Sequence, residues 1–208
     1  MLASDFRRMG DAPGEGRALG SALTSCPENP ALWDAKEDYL VRTGSPSAEI
    51  KAHHEAAIRQ FSRFRDLKAQ HQEALLRLAL GAGDQRRADH LSDQIMHENR
   101  GGRIDLSAAA AAEMVKARLA ANDPEAAVVE FSKQLKAQGR NGGGDFFYNV
   151  VAPLTRDLSG RGRQDLARKV LKDSFIMLNP PKSSLIDRDL RKLWKEAGGA
   201  ASTPPIRP

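Results

Sequence analysis

Four turn-forming residues recur at a nearly constant interval along the 208-residue chain, and this interval constrains the fold more than any other feature. They are Gly44, Gly83, Asn122 and Gly162, and they are 39, 39 and 40 residues apart. Each stands between two segments whose apolar residues follow the three- and four-residue spacing of an amphipathic helix. One helix pair cannot bury its apolar face alone, whereas neighbouring pairs stacked side by side bury a continuous core. The interval therefore predicts a series of stacked helical hairpins.

Small and large residues occupy equivalent positions after these turns. The fifth residue past the turn is Ala88, Ala127 and Ala167 in the last three predicted hairpins. A methyl group at this position lets the two helices of a pair approach closely. Four residues further on, Phe131 and Leu171 place a large side chain one helical turn later in the third and fourth hairpins. The shared positions indicate that the hairpins are copies of one packing unit.

The segment from Ala121 to Phe131, Ala-Asn-Asp-Pro-Glu-Ala-Ala-Val-Val-Glu-Phe, resembles the turn and second helix of a tetratricopeptide repeat (TPR). Trp33 precedes Gly44 by eleven residues, as a tryptophan commonly does in that family. Residues 18–30 are similar to the end of a preceding repeat's second helix. The resemblance covers most of residues 10–179. It implies an all-α fold, an α-solenoid of about four antiparallel helix hairpins with a C-terminal capping helix.

Two features depart from the family pattern. The interval is near 39 residues, whereas the usual TPR period is about 34 residues. Glu49 stands where the small residue is expected in the first hairpin, and Ser92 stands where the large one is expected in the second. These departures predict longer helices or loops, and they leave another type of helical-pair solenoid open.

We expect a single helical-repeat domain over residues 1–197. Its hairpins are placed at about residues 30–66, 67–101, 105–139 and 145–179, followed by a capping helix at 184–196 and a disordered tail at 198–208. The β-rich run at residues 146–151 has no second strand to pair with, so it is interpreted as the buried face of a helix that Pro153 kinks. Residues 140–144 are interpreted as a flexible connector.

Composition narrows the class of protein. With 40% hydrophobic and 28% charged residues, the chain is expected to be globular and soluble. No eighteen apolar residues run together, so no membrane-spanning helix is expected, and the first residues do not match a signal peptide. The single cysteine, Cys26, excludes an internal disulfide. The expected compartment is cytoplasmic by default.

No motif for catalysis or cofactor binding is recognisable. His53 and His54 are adjacent, and adjacent helical side chains point about 100° apart, so no metal site is expected and the histidines are placed on exposed or half-exposed helix faces. Residues 142–144 lack the preceding strand and the following Lys of a phosphate-binding loop. Cys26 has no basic neighbour in sequence that would activate a nucleophilic thiol. The sequence therefore predicts a protein that is not an enzyme and needs no cofactor.

The TPR resemblance implies a concave surface formed by the first helix of each pair, which holds a peptide or a helix of another protein. The expected function is a noncatalytic protein-interaction scaffold, with the partner's identity and the oligomeric state left open. Trp33 is expected to serve mainly in packing. The candidate contact residues are the large or polar side chains of the predicted first helices: Trp33, Tyr39, Gln72, Arg118, Tyr148 and Asn149.

Positive charge is concentrated in the last third of the chain. Residues 140–208 contain 13 basic and 7 acidic residues, while the formal net charge of the whole chain is +5. Such a surface attracts anionic partners, so the alternative function is a nucleic-acid-binding or anionic-partner-binding module. With only 5% aromatic residues, a stacking surface for single-stranded nucleic acid is not expected. The candidate basic residues are Arg161, Arg163, Arg168, Lys169, Lys172, Arg191 and Lys195.

Overall fold

The computed structural model describes residues 2–98, 106–138 and 143–199. These residues form helices joined by short turns, with no strand in the described ranges, which confirms the all-α prediction. The elements are α1 (Leu2–Met9), α2 (Ala12–Ser25), α3 (Pro30–Arg42), α4 (Ser47–Gln60), α5 (Arg65–Gly81), α6 (Gln85–Glu98), α7 (Ala108–Ala120), α8 (Pro124–Gln138), α9 (Gly143–Phe146), a π-helical turn (Phe147–Val151), α10 (Ala152–Gly160), α11 (Gln164–Leu178) and α12 (Leu185–Glu196).

Some predicted features lie outside the described residues. These are most of the connector at 140–144, the last residues of the second and third predicted hairpins, the first residue of the third, and the tail from residue 200 onward.

The chain divides into two compact units, residues 1–78 and residues 79–208, and the division falls inside α5. In the first unit, α2 packs against both α1 and α3, and α3 packs against α4. Trp33, Ala57 and Phe61 form a buried apolar cluster in this unit. The single domain over residues 1–197 stays a prediction.

In the second unit, helices of the same kind lie side by side in neighbouring pairs. Helix α7 packs against α8, and α10 packs against α11. The two second helices, α8 and α11, also contact each other, and the first helix α7 contacts the π-helical turn that precedes α10. This pairing is the arrangement of a TPR-like α-solenoid, as the sequence predicted. Phe131, Phe146, Phe147 and Leu171 lie in its core.

The four predicted turn residues share one backbone conformation. Gly44, Gly83, Asn122 and Gly162 have φ angles of 67°, 72°, 58° and 76°, in the left-handed region that glycine adopts readily and asparagine tolerates. In each turn the backbone amide of the residue that follows the turn residue donates to the carbonyl of the residue four positions before the turn residue, at 2.9–3.1 Å. This hydrogen bond belongs to the Schellman motif, which ends a helix. The interval found in the sequence is therefore a structural repeat.

An additional helix pair, α1 and α2, precedes those predicted. Its turn residue is Gly10, 34 residues before Gly44, with φ 73°, and the Asp11 amide donates to the Phe6 carbonyl at 3.0 Å. Asp11, like Asp84 and Asp123 after later turns, accepts a hydrogen bond from the amide three residues on, at 2.8–3.0 Å. Such a carboxylate satisfies an amide that the first helical turn leaves unpaired. The positive-φ turn and the aspartate cap of the later pairs therefore also precede α2, the second helix of this pair.

The alanines at the fifth position occupy equivalent environments. Ala88, Ala127 and Ala167 are all completely buried, as are Phe131 and Leu171 four residues after the last two. A side chain longer than a methyl group at these alanine positions would have to displace a neighbour. The packing role inferred from their spacing is consistent with this burial.

The turn between the first two predicted hairpins lies between α4 and α5, and the hairpin bounds stay predictions. Helix α4 ends at Gln60 and α5 begins at Arg65, before residue 67, where the second hairpin was placed. Phe61, which follows α4, is buried against the edge of the Trp33 ring, with centroids 5.9 Å apart. Burial of this ring anchors the end of α4 in the first unit.

Residues 143–160 are helical throughout, and the run at 146–151 is therefore helical as predicted. Its middle is the π-helical turn, Phe147–Val151, directly before Pro153. Proline has no amide hydrogen to donate to the preceding turn. At this point the backbone hydrogen bonds join residues five apart, as in a π-helix, rather than four apart, as in an α-helix. Helix α12 follows α11 as the predicted cap, with Leu190 and Leu193 buried and Trp194 packed against the core of the second unit.

None of the helices within the described ranges combines the length and the apolar character needed to cross a membrane.

Candidate functional site

Three second helices of the second unit, α6, α8 and α11, line an open groove with a cavity volume of about 1420 Å³. Lys133 of α8 binds Asp93 of α6 at 2.6 Å, and α8 packs directly on α11. The floor includes Leu135, which is buried. Successive second helices therefore form one surface across three repeats.

Apolar side chains line this groove while remaining open to solvent. Val129 of α8 is 68% exposed and Ile176 of α11 is 47% exposed. Met96 and Met177 line the same cavity. Methionine is flexible and polarizable, and it is common on surfaces that accept varied apolar ligands. Apolar residues gathered in a concave surface mark a binding site more often than apolar residues scattered over a surface.

Charged groups surround the apolar residues. Lys133 is paired with Asp93. Lys136 of α8 and Lys169 of α11 are exposed and have no ion pair within the described residues, and Asp173 of α11 also lines the cavity. Beside the Lys133–Asp93 pair, the two lysines and Asp173 leave the groove a net charge of +1, which favours a ligand with acidic groups beside its apolar ones.

The candidate contact residues of the first unit lie mostly inside it. Trp33 is buried, and its Nε1 donates a hydrogen bond to the Pro27 carbonyl at 2.8 Å. Gln72 is also buried. Tyr39 is half-buried, with the Lys36 Nζ atom 4.6 Å from its ring centroid. Trp33 thus has the packing role expected of it, and a binding role for the three residues stays a prediction.

Arg118 is the candidate contact residue with the most polar contacts in the second unit. Its Nη2 donates to both carboxylate oxygens of Asp89, at 2.7 and 2.8 Å, and lies 4.0 Å from the buried Glu130. The guanidinium therefore links α7, α6 and α8.

Tyr148 and Asn149 lie on the π-helical turn and are exposed. The Tyr148 hydroxyl donates to Asp189 at 3.2 Å, and the Asn149 amide nitrogen donates to the Asp145 carbonyl at 2.8 Å. The binding roles of Arg118, Tyr148 and Asn149 stay predictions.

The basic residues of the last third divide into paired and unpaired groups. Arg161 binds Asp157, Arg163 binds Glu125 at 2.6 Å, and Arg191 binds Asp187 at 3.0 Å. Among the residues that the structure describes, the remaining four have no ion pair: Arg168, Lys169, Lys172 and Lys195. Part of the positive charge is therefore neutralised within the fold, and the anionic-partner patch stays a prediction.

The expected exposure of the histidines at positions 53, 54 and 71 is wrong. His53, His54 and His71 are buried in the first unit, where α4 and α5 place their rings together. Burial lowers the pKa of His53 to about 4 and the pKa of His54 to about 4, because it disfavours the charged imidazolium. Burial also lowers the pKa of His71 and raises that of the nearby Glu37 carboxyl.

Comparisons with known proteins leave the family open. No family model matches the sequence, and no curated protein matches it. The chain is similar to a solved structure described as a thermophilic TPR protein in Thermus thermophilus, at 16% identity and a TM-score of 0.37, covering 94% of this chain and 95% of that one. A similarity at this score supports no inference about function.

Proposed function

We propose that the protein is a noncatalytic interaction module whose groove on α6, α8 and α11 binds an apolar peptide segment or helix of another protein. The observation that supports it is the exposure of Val129 and Ile176 inside a concave surface built by consecutive repeats. An amphipathic helix laid in such a groove covers these side chains with its own apolar face. Removing that apolar area from water supplies the main driving force for binding.

The proposal places the ligand on the second helices rather than on the first. The TPR resemblance led us to expect contact residues on the first helices of each pair. Two of those residues, Trp33 and Gln72, are buried, and a third, Arg118, is bound to Asp89. The second helices instead present apolar side chains that no residue of the described chain covers.

The ligand is expected to carry acidic residues beside its apolar ones. Lys136 and Lys169 lie at the groove without an ion pair in the ranges described. An acidic side chain of the ligand would meet these ammonium groups at the rim, where charges raise the rate of association and align the ligand. Binding should accordingly weaken at high salt, by a modest factor because rim charges are hydrated.

Photo-crosslinking tests the proposal. A crosslinking amino acid is placed at Val129, at Ile176 and, as the matched control, at Leu185, an apolar residue of α12 that is 64% exposed and does not line the groove. The protein is exposed to lysate of its source cells, and the captured peptides are identified by mass spectrometry. The proposal expects one set of peptides at both groove positions and not at Leu185.

A synthetic version of the captured peptide then gives the affinity. We expect Val129→Asp to weaken its binding at least tenfold, since a carboxylate would be buried against the ligand's apolar face, and Leu185→Asp to leave it unchanged. Both positions are exposed, so circular dichroism should show an intact fold in both variants. Equal loss in the two variants, or capture at all three positions alike, would contradict the groove. Capture of nucleic acid instead of peptide would favour the basic surface.

A further inference from the structure

Three imidazole rings meet in the interior of the first unit. His53 and His54 come from α4 and His71 comes from α5, and their side chains are buried. The ring centroids are 5.4–6.3 Å apart. Burying a polar group without a partner is unfavourable, so each ring nitrogen in this cluster needs a partner.

The hydrogen bonds of the cluster leave ring nitrogens with unused lone pairs. His54 Nδ1 lies 3.1 Å from His71 Nδ1, so one nitrogen donates its proton and the other accepts it. His53 Nε2 is buried with no hydrogen-bond partner in the described part of the chain. When His53 and His54 carry their protons on Nδ1, the Nε2 atoms of both are free to bind a cation.

A carboxylate from α3 completes the set of ligands. Glu37 Oε1 lies 3.8 Å from His54 Nε2. One ligand atom from each of Glu37, His53 and His54 lies within 4.8 Å of those of the other two. In a tetrahedral zinc site with bonds of about 2.0–2.1 Å, neighbouring ligand atoms are about 3.3 Å apart. Side-chain movements of about 1 Å would therefore bring the three groups to the spacing that the metal requires.

We propose that Glu37, His53 and His54 form a binding site for Zn²⁺. Imidazole nitrogens combined with one carboxylate suit zinc, whereas Ca²⁺ and Mg²⁺ prefer oxygen ligands alone. Three protein ligands leave the fourth position of a tetrahedral zinc site to a water molecule, and Glu37 is half-buried. His71 is a positioning residue, because accepting the Nδ1 proton of His54 fixes the tautomer that turns Nε2 toward Glu37.

The opposing interpretation is a purely aromatic core. The His53 ring centroid is 5.2 Å from that of Trp33, and the His71 ring stacks on Phe61 with centroids 6.1 Å apart. In such a core the imidazoles would serve as flat rings, and the protein would bind no metal ion. The two interpretations therefore differ in a quantity that can be measured directly.

Equilibrium dialysis of the tag-free full chain against Zn²⁺ tests the site, with bound metal measured by atomic emission. We expect one tightly bound Zn²⁺ per chain, and Co²⁺ in its place should give the intense visible absorption of a four-coordinate ion. Glu37→Gln should weaken Zn²⁺ binding at least tenfold, and His53→Gln should abolish the tight site. His97→Gln removes an exposed imidazole of α6 and should leave binding unchanged.

His71→Phe keeps an aromatic ring but removes the hydrogen-bond acceptor. It should weaken Zn²⁺ binding by about 10–100-fold and shift the Co²⁺ absorption bands. Unchanged bands and affinity would overturn its positioning role. Glu37→Gln changes a half-buried residue and should fold normally, so it tests the site even where His53→Gln unfolds. Zn²⁺ binding that is absent in the wild type, or equal in the wild type and Glu37→Gln, would overturn the proposal.

Discussion

Phe131→Ala tests whether the helix pairs of the second unit are held together by their repeated large residue. Phe131 on α8 is completely buried, and its ring stacks on Phe146, with centroids 6.2 Å apart. The substitution removes about 100–150 Å² of buried apolar surface, worth about 2.5–4 kcal/mol at about 25 cal/mol per Å². Incomplete collapse of the cavity adds to this, so the free energy of unfolding should fall by about 3–5 kcal/mol.

Val129→Ala is the matched control, because it removes an apolar side chain two residues away on the exposed face of α8. It should change the free energy of unfolding by less than about 0.5 kcal/mol. Urea unfolding is followed by tryptophan fluorescence in a Trp33→Phe background, where Trp194, packed against the core of the second unit, is the remaining tryptophan. A loss below about 1 kcal/mol for Phe131→Ala, or equal losses in both variants, would refute the reasoning.

Two further perturbations follow from charged and titratable side chains, and both are read by urea unfolding. Asp89→Asn should lower the free energy of unfolding by about 1 kcal/mol or less, because the Asp89–Arg118 pair is partly exposed. Arg118→Met should lower it by more than that, because it also removes the cation beside the buried Glu130 carboxylate. Equal losses in the two variants would contradict this reasoning. Burial lowers the pKa of His53 and of His54 to about 4, from 6.5. The unfolded chain therefore takes up protons between about pH 6.5 and pH 4 that the folded state does not. The urea midpoint should accordingly fall as the pH falls through this window. A midpoint that stays constant or rises there would contradict the prediction.

The helix pairs could be predicted because their signals are local. Gly44, Gly83, Asn122 and Gly162 are residue types that accept a positive φ, and each one adopts it. Of the first pair, the sequence analysis anticipated only the end of the second helix, within residues 18–30, although Gly10 and Asp11 repeat the glycine–aspartate dipeptide of Gly83 and Asp84. Its turn is 34 residues from the next one rather than 39. An interval search with a tolerance of five residues would have found it.

The sites could not be predicted because they depend on how helices rotate and pack. Spacing along one helix placed His53 and His54 on different faces, yet in the folded unit both rings are buried and lie near the His71 ring of α5. Likewise, Val129 and Ile176 fit the apolar pattern of their helices but lie on the side that no other described helix covers. Sequence periodicity identifies which residues are apolar, whereas only the packing shows which of them stay exposed.

The turns closed by Schellman hydrogen bonds bear on how this chain folds during synthesis. Each such bond spans six residues, and each helix pair is complete within about forty residues. Contacts so close in sequence form quickly, without the entropy cost of closing a long loop. The contacts within a pair can therefore form soon after it leaves the ribosome, whereas burial of its apolar face waits until the next pair is made and docks on it.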